Sequence, residues 1–281
     1  MKRLSILEIL LFVLNIGRIG SFVLRPPSCI SNTILSATKL SPVAPDKVHI
    51  LPDADAVSNR IVSIVNEAAS KAISSKGHFN LAIPGGSILN MLSEISDPPW
   101  ASKTTLAYVN HKCVENDDLN LSTHAKANSK FLSTWSGCNV LTLTGSSSPS
   151  NEAEIYKTSL KSLPLKGSYP SFDLCLIGVG TDGHIGSLYP SRPELTLTDW
   201  ILPVSMKEPG SITFSLPMIL NSEEIVIAAC GVSEKYPLGK SEGMKRAIMG
   251  DETVETFPAV GLREKATWII DEAAGSSLEG Y

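Results

Sequence analysis

The sequence predicts a Rossmann-like α/β fold, in which a doubly wound, mainly parallel sheet carries helices on both faces. Short apolar runs typical of strands alternate along the chain with segments of helical periodicity. The run Leu174–Ile177 is apolar at every position, as expected for a parallel strand buried on both faces. Polar residues follow several of these runs, and ligands bind outside the carboxyl ends of strands in such sheets.

Apolar periodicity defines the elements of the first half of the chain. Helical spacing predicts helices, and short apolar runs predict strands. In chain order, the predicted elements are a helix over 54–76, a strand over 79–83, a helix over 88–95, a strand over 105–109, a helix over 123–135, a strand over 139–143 and a helix over 152–163. In the last of these helices, Ile155 and Leu160 are expected to face inward.

A glycine-rich turn, Gly85-Gly86-Ser87, joins the strand 79–83 to the helix that follows it. Backbone N–H groups at a helix N-terminus attract phosphate or carboxylate groups, so the turn is a candidate anion site. The turn lacks the G-K-[ST] ending of a P-loop. An ordinary strand-to-helix turn with Ser87 as the N-cap explains the same residues, and both interpretations stay open.

Lysine residues follow two of the predicted strands. Lys112 ends the segment Asn110-His111-Lys112, directly after the strand 105–109. Lys235 and then Lys240 come after a strand predicted over 224–230. A lysine is a point charge that suits an anion, although a solvated loop lysine is an equally ordinary explanation of Lys112.

The stretch after Leu174–Ile177 carries the residues best suited to catalysis. Its glycines let the chain turn sharply, and Asp182 and His184 lie beyond the strand end. A histidine beside a carboxylate is a candidate general base. Gly178, Gly180 and Gly183 also match G-x-G-x-x-G, but prolines follow soon after. The next acids, Glu194 and Asp199, are not preceded by a strand-like apolar run, which disfavours a nicotinamide cofactor.

The remaining elements are less regular. The sequence predicts a strand over 200–204, a turn-rich element over 212–220, the strand 224–230, a helix over 240–249 and a last strand over 267–270.

Composition narrows the class of function. The 281 residues carry a formal net charge of −4 and no long basic run, so we expect no nucleic-acid partner. The five cysteines are scattered without a C-x-x-C pair, which argues against a disulfide framework or a structural zinc site. The histidines are isolated, so no metal site is expected. We expect a monomer that needs no cofactor.

The N-terminus is expected to be a targeting leader over residues 1–45. Basic residues precede an apolar stretch that resembles a signal peptide, and the segment after it is rich in Ser and Thr and has no acid before Asp46. The order resembles the bipartite plastid leader of algae with secondary plastids, and a disordered extension on a cytoplasmic protein is the alternative. Residues 46–281 would form a single catalytic domain, and the mature form is expected to have no stable membrane association.

Several segments together resemble the 6-phosphogluconolactonase family. Residues 172–190 resemble its signature F-D-L-x-L-L-G-x-G-x-D-G-H-x-x-S-L-F-P. Residues 81–92, 212–221, 257–259 and 268–274 resemble further segments of the family in the same order. The superfamily also contains glucosamine-6-phosphate isomerases and deaminases, which carry F-N-E-P-like residues after the histidine.

The resemblance implies roles for residues of this chain. His184 would be the base that activates water, supported by Asp182. The substrate pocket would be lined by Gly85, Gly86, Ser87, Gly180 and Gly183. The substrate phosphate would be held by Lys112 and by Lys235, with Lys240 as a possible substitute.

The chain departs from the family pattern at the phosphate site. Asn110-His111-Lys112 replaces an Asp-Glu-Arg segment, so the cation is kept but the bidentate guanidinium is lost. Lys235 follows Gly231 by one residue more than usual, and Ser211 stands where many members have arginine.

The resemblance implies hydrolysis of 6-phospho-D-glucono-1,5-lactone to 6-phospho-D-gluconate, the second step of the oxidative pentose phosphate pathway. Two alternatives stay open. One is a sugar-phosphate isomerase or deaminase, which Ser187-Leu188-Tyr189-Pro190 disfavours because it lacks the acid. The other is a sugar-phosphate-binding protein without catalysis, which the altered segment 110–112 suggests.

Overall fold

In residues 40–231 and 239–281, which the computed structural model describes, a seven-stranded parallel sheet forms the centre of the protein. The strands of the chain are β1 (Val48–Leu51), β2 (Phe79–Ile83), β3 (Thr104–Tyr108), β4 (Asn110–Lys112), β5 (Asn139–Val140), β6 (Leu165–Lys166), β7 (Tyr169–Pro170), β8 (Leu174–Ile177), β9 (Ile201–Val204), β10 (Ser211–Phe214), β11 (Glu224–Ala229) and β12 (Thr267–Asp271). The central sheet has the order β1-β12-β11-β8-β2-β3-β5. All of its neighbouring pairs are parallel, which confirms the predicted sheet.

Helices cover both faces of this sheet, as the sequence predicts. They are α1 (Ala54–Lys76), α2 (Ser87–Leu92), α3 (Thr123–Lys130), α4 (Pro149–Ser159), α5 (Leu216–Leu220), α6 (Ser241–Met249) and α7 (Glu272–Gly275). Leu174 and Leu176 of β8 pack in one core with α1, α2 and α3. Cys175 and Ile177 point to the other face and pack in a second core with α4, α5 and α6. Strand β8 therefore contributes apolar side chains to the hydrophobic cores on both faces of the sheet.

A second, antiparallel sheet joins β4, β10 and β9 beside the central one. The prediction of a turn-rich element over 212–220 is wrong, because these residues belong to β10 and α5. Lys112, for which a loop position was one of two interpretations, lies in β4. Lys112 pairs with Ser211, and Asn110 pairs with Thr213. Pairing between strands that are distant in sequence makes a strand of polar residues, which a local apolar pattern does not reveal.

Helix α4 begins at Pro149, and its inward face differs from the predicted one. Leu160 is buried just beyond its end, but Ile155 is 37% exposed, so the prediction for Ile155 is wrong. The buried carboxylate of Glu152 accepts hydrogen bonds from the backbone N–H groups of Thr144 and Ser146. This polar anchor turns Glu152 toward the body and leaves Ile155 in solvent.

Residues 40–44 pack onto the body, although they fall within the leader that the sequence predicts over 1–45. The backbone N–H of Val43 donates to the carbonyl of Ile248 at 2.8 Å, and its carbonyl accepts from the Tyr281 hydroxyl at 2.6 Å. Within the described residues, buried Arg263 donates to four backbone carbonyls, and one of them belongs to Leu40. The chain is therefore part of the fold from Leu40 onward.

Two sets of predicted features lie outside the described residues. They are residues 1–39 of the predicted leader and the predicted phosphate ligand Lys235. Within residues 40–231 and 239–281, no helix is long and apolar enough to cross a membrane.

Candidate active site

A tight loop over residues 178–189, which we call the histidine loop, follows β8 at the carboxyl edge of the central sheet. Ile185 forms single bridges with Val179 and with Leu188. All three side chains are buried, so they anchor the base of the loop in the core. The polar tip of the loop is held at the surface by apolar packing beneath it.

Asp182 and His184 form a hydrogen-bonded pair at the tip of the histidine loop. The distance between Oδ1 of Asp182 and Nδ1 of His184 is 2.5 Å, and the backbone N–H of His184 donates to the same oxygen at 3.2 Å. Partial burial acts to raise the pKa of Asp182, but the hydrogen bonds and charge of His184 outweigh it, so the pKa lies below its usual value. The carboxylate is therefore ionised at neutral pH and fixes the orientation of the imidazole.

The backbone of Gly180 lies directly beneath this pair. A Cβ atom at position 180 would lie 2.1 Å from Nδ1 of His184 and 2.7 Å from Oδ1 of Asp182. Gly183 has a φ of 82°, and a Cβ there would lie 2.3 Å from the Phe257 ring. Both positions need glycine because the backbone approaches other groups too closely for any side chain.

The N–H groups of both glycines are used inside the loop. Gly180 donates to the carbonyl of His184 at 3.0 Å, and Gly183 donates to the carbonyl of Gly180 at 2.9 Å. The two glycines therefore shape the loop, and their N–H groups already donate hydrogen bonds within it.

Asn110 and Lys112 lie on the face of the antiparallel sheet that meets the histidine loop. The Nδ2 of Asn110 donates to Oγ of Ser187 at 3.2 Å, and the hydroxyl of Ser211 donates to the same oxygen at 3.1 Å. Lys112 is exposed and lies opposite Ser211 in the register. Directly opposed residues of an antiparallel pair share a face, so Lys112 belongs to the same side as Ser187.

His111 points the opposite way and is buried. Its Nε2 accepts the backbone N–H of His124 at 3.0 Å, and its Nδ1 lies 2.6 Å from the carbonyl of Lys112. Burial lowers the pKa of His111 to about 4, so the ring is neutral at neutral pH. The middle residue of the altered segment therefore caps the first turn of α3 and does not face the site.

The turn Gly85-Gly86-Ser87 lies at the end of β2, the strand next to β8. Gly86 is the N-cap of α2 with a φ of 82°, so the expectation that Ser87 is the N-cap is wrong. A Cβ at Gly85 would contact Oγ1 of Thr123 at 3.2 Å, which places the turn beside the start of α3. The turn and the segment 110–112 thus meet the same helix end.

Lys240 is buried beneath the histidine loop. Its ammonium group donates to the carbonyl of Val179 at 3.3 Å, and only 8% of the residue is exposed. Lys240 therefore supports the loop from its buried side, whereas Lys112 is exposed to solvent. Among residues 40–231 and 239–281, no group of three or more His, Cys, Asp or Glu side chains is arranged to hold a metal ion.

Two further side chains, which were not among the predicted site residues, lie at the site. The Tyr189 ring packs against the His184 ring, with centroids 4.8 Å apart, and the ammonium of Lys207 lies 4.3 Å from the centroid of Tyr189. Tyr189 lay inside the recognised signature, at a position with a conservative change. Lys207 had no local signal, because only the hairpin between β9 and β10 brings it to the histidine loop.

One protein-family model and several named relatives match most of this chain. Residues 52–270 match the family model described as glucosamine-6-phosphate isomerases/6-phosphogluconolactonase. A probable 6-phosphogluconolactonase 2 of rice (Oryza sativa subsp. indica) is 26% identical over 265 residues, covering 83% of this chain and 90% of the relative. A chloroplastic 6-phosphogluconolactonase 3 of Arabidopsis thaliana is 28% identical over 233 residues, covering 75% of this chain and 69% of the relative.

The fold has solved counterparts. The crystal structure of 6-phosphogluconolactonase from Leishmania guyanensis superposes with a TM-score of 0.72 at 18% identity, covering 86% of this chain and 100% of the other. At 18% identity the likeness shows a shared fold only.

Proposed function

The chain belongs to the family of glucosamine-6-phosphate isomerases and 6-phosphogluconolactonases, and from this we propose that it hydrolyses 6-phospho-D-glucono-1,5-lactone to 6-phospho-D-gluconate. The printed names of its relatives support the lactonase branch of the family. The observation that carries the proposal is the 2.5 Å contact between Asp182 and His184 at the carboxyl edge of the sheet. The reaction would be the second step of the oxidative pentose phosphate pathway and would need no cofactor.

His184 is the proposed general base. Its Nδ1 faces the ionised carboxylate of Asp182, so the neutral ring carries its proton on Nδ1 and its lone pair on Nε2. Nε2 takes a proton from water as the oxygen attacks the lactone carbonyl. The lactone is an activated ester, so a positioned water and a base suffice without a covalent intermediate.

Asp182 acts through His184. It holds the ring in one tautomer, and its negative charge stabilises the imidazolium that forms when the proton is taken. Its lowered pKa keeps that charge in place across the neutral range.

The developing oxyanion needs hydrogen-bond donors, and the turn before α2 is the better source of them. The N–H groups of Gly180 and Gly183 already donate within the histidine loop. No side chain caps α2 at Gly86, so the backbone N–H groups at Ser87 and beside it are available to a ligand in the proposed complex. Gly85 and Gly86 then line the pocket, whereas Gly180 and Gly183 give the histidine loop its shape.

Lys112 is the proposed phosphate ligand among the described residues. It is exposed on the face of β4 that meets Ser187, so its ammonium group can approach a substrate bound at the histidine loop. Lys235 keeps its proposed role only from the resemblance, because it lies outside the described residues. Lys240 is proposed instead to hold Val179 and with it the loop.

The test is hydrolysis of freshly generated 6-phosphogluconolactone, measured above the spontaneous rate. We expect His184→Ala to lower kcat/KM by about a hundredfold or more, the range of a lost general base. His49→Ala is the matched control, because His49 is an exposed histidine on the edge strand β1. If the folded, unmutated protein does not accelerate the reaction, the proposal fails.

The isomerase alternative is tested with the same preparation. Ser187 contributes a hydroxyl to the cluster with Asn110 and Ser211, and no acid stands at residues 187–190. We therefore expect no ammonia release from glucosamine 6-phosphate. Ammonia release that depends on His184 would replace the lactonase proposal.

A plastid location is proposed from the leader-like composition of residues 1–45 and from the chloroplastic relative. A fluorescent protein fused after residue 45 tests it in a plastid-bearing host. Fluorescence spread through the cytoplasm would favour the cytoplasmic alternative.

A further inference from the structure

Three side chains form a stack at the edge of the proposed catalytic pair. The rings of His184 and Tyr189 are tilted by 35° with centroids 4.8 Å apart. The ammonium of Lys207 lies 4.3 Å from the centroid of the Tyr189 ring. A lysine ammonium over an aromatic face is attracted by the ring quadrupole. The two short distances keep this cation within the length of a hexose phosphate from the imidazole.

The loop that carries Lys207 is fixed at its base. The carbonyl of Gly210 accepts the backbone N–H of Cys113 at 2.8 Å. A Cβ at Gly210 would lie 2.4 Å from Cγ of Pro149, so the loop packs closely on the start of α4. Lys207 itself is exposed, and the ring contact leaves its ammonium able to donate hydrogen bonds to a ligand.

Lys207 and Lys112 approach the histidine loop from the same antiparallel sheet. Lys207 belongs to the hairpin loop between β9 and β10, and Lys112 lies opposite Ser211, the first residue of β10. Ser211 contacts Ser187, which lies between His184 and Tyr189 in the chain. Two lysines carried by this sheet suit a phosphate dianion, whereas the lactone ring itself is uncharged.

We propose that Lys207 is a second phosphate-binding residue, held in place by Tyr189, that works with Lys112 to select phosphorylated lactones. This inference rests on the proposed function and names a determinant of its substrate specificity. Lys207 also supplies a positive charge four residues before position 211, where this chain has only the hydroxyl of Ser211.

The experiment compares the unmutated protein with Lys207→Gln, Lys207→Arg and Lys71→Gln. The last is the matched control, because Lys71 is an exposed lysine on α1 beside the groove at Asp173 and Glu224, at the opposite edge of the sheet. Calorimetry gives the affinity for 6-phosphogluconate, and kinetics give KM and kcat for 6-phosphogluconolactone. Unphosphorylated glucono-1,5-lactone is assayed in parallel.

We expect Lys207→Gln to weaken binding of 6-phosphogluconate and to raise KM for the phosphorylated lactone, each about tenfold, the usual effect of one lost charge-assisted hydrogen bond. Its kcat should stay within about twofold, and Lys207→Arg should restore most of the affinity, because the charge is kept. Lys71→Gln should behave as the unmutated protein.

Two results would overturn the inference. One is unchanged affinity and KM in Lys207→Gln. The other is an equal loss on both lactones, which would mean that Lys207 merely supports Tyr189 and His184. The calorimetric measurement does not need turnover, so an inactive but 6-phosphogluconate-binding protein would refute the lactonase proposal and still decide the role of Lys207.

Discussion

At position 180 the backbone itself forms the support for the proposed catalytic pair. We predict that Gly180→Ala lowers kcat/KM by about a hundredfold, because the new methyl group would occupy space held by Nδ1 of His184 and Oδ1 of Asp182. Gly180 is buried, but the two side chains that the methyl group would displace are partly exposed and can turn outward, so the melting temperature should change by only a few degrees. Kinetics and thermal denaturation of the purified variant check both parts.

Gly178→Ala is the matched control for this prediction. A Cβ at position 178 has nothing within 4 Å, and the residue is outside the left-handed region. It should keep nearly full activity. Equal loss in both variants would mean that any added side chain harms the loop, and the specific clash at position 180 would then explain nothing.

The sequence predicts that Asp182 and His184 lie side by side, as the structure has them, but it does not reveal which residues surround them. Asp182 and His184 are two positions apart in a glycine-rich run after an apolar strand, so their proximity follows from local spacing. Tyr189 and Lys207 meet only because a distant hairpin folds over the loop. The direction of His111 depends on the register of β4 with β10, which no local pattern contains.

At the scale of elements, the start of α3 depends on a neutral histidine from another strand. His111 accepts the N–H of His124, and burial lowers its pKa to about 4 from an unfolded value of about 6.5. The unfolded chain therefore binds this proton more tightly. The contribution to stability is complete above about pH 6.5 and falls by roughly 3 kcal/mol as the pH drops to about 4.

The measurement is the free energy of unfolding by urea between pH 4 and pH 8, for the unmutated protein and for His111→Gln. Glutamine accepts the same N–H but does not titrate, so the difference between the proteins isolates His111 from His124, whose pKa burial also lowers. The unmutated protein should lose more stability on acidification. Parallel pH profiles would show that His111 is protonated without cost in the folded state.

Elements of the central sheet were predictable where apolar residues alone decide the structure. Strands β2, β8 and β11 are buried along nearly their whole length, and their runs are apolar. Strand β1 was missed because it is a short edge strand with exposed His49 and only half-buried neighbours. Edge strands owe their conformation to one partner, so their own sequence carries a weaker signal.

At the scale of the whole molecule, residues 40–44 join three distant parts of the chain. Val43 is 2% exposed and bonds to Ile248 and to Tyr281, and Leu40 accepts from Arg263. We predict that a protein starting at residue 46 unfolds at a lower temperature than one starting at residue 40, by about 4 °C or more. Loss of the buried Val43 side chain alone is worth about 1.5 kcal/mol or more.

Thermal denaturation of the two proteins decides this point. Val43→Ala in the protein that starts at residue 40 is the companion variant, since it keeps the backbone contacts and removes only apolar contact. It should lie between the other two. Identical melting temperatures for the 40–281 and 46–281 proteins would mean that the segment adds nothing to stability.

The domain boundary, the cleavage of the leader and the monomeric state stay predictions. The apolar and acid-poor composition of residues 1–45 is the basis for predicting a leader there. It could not place the boundary within a few residues, because Leu40 and Val43 are ordinary residues of an acid-poor stretch. Their inclusion in the fold comes from Arg263 and Tyr281, more than 200 positions away.

The contacts of Arg263 have a consequence for the response of the protein to ionic strength. The carbonyl dipoles of Leu40, Arg246, Ala247 and Gly250 solvate the buried guanidinium much as water would. Dissolved ions screen exposed pairs such as Lys166 and Glu223, but they have little access to a buried cluster of dipoles. Concentrated electrolyte should therefore loosen the outer ion pairs and leave the joint between residue 40 and the body intact.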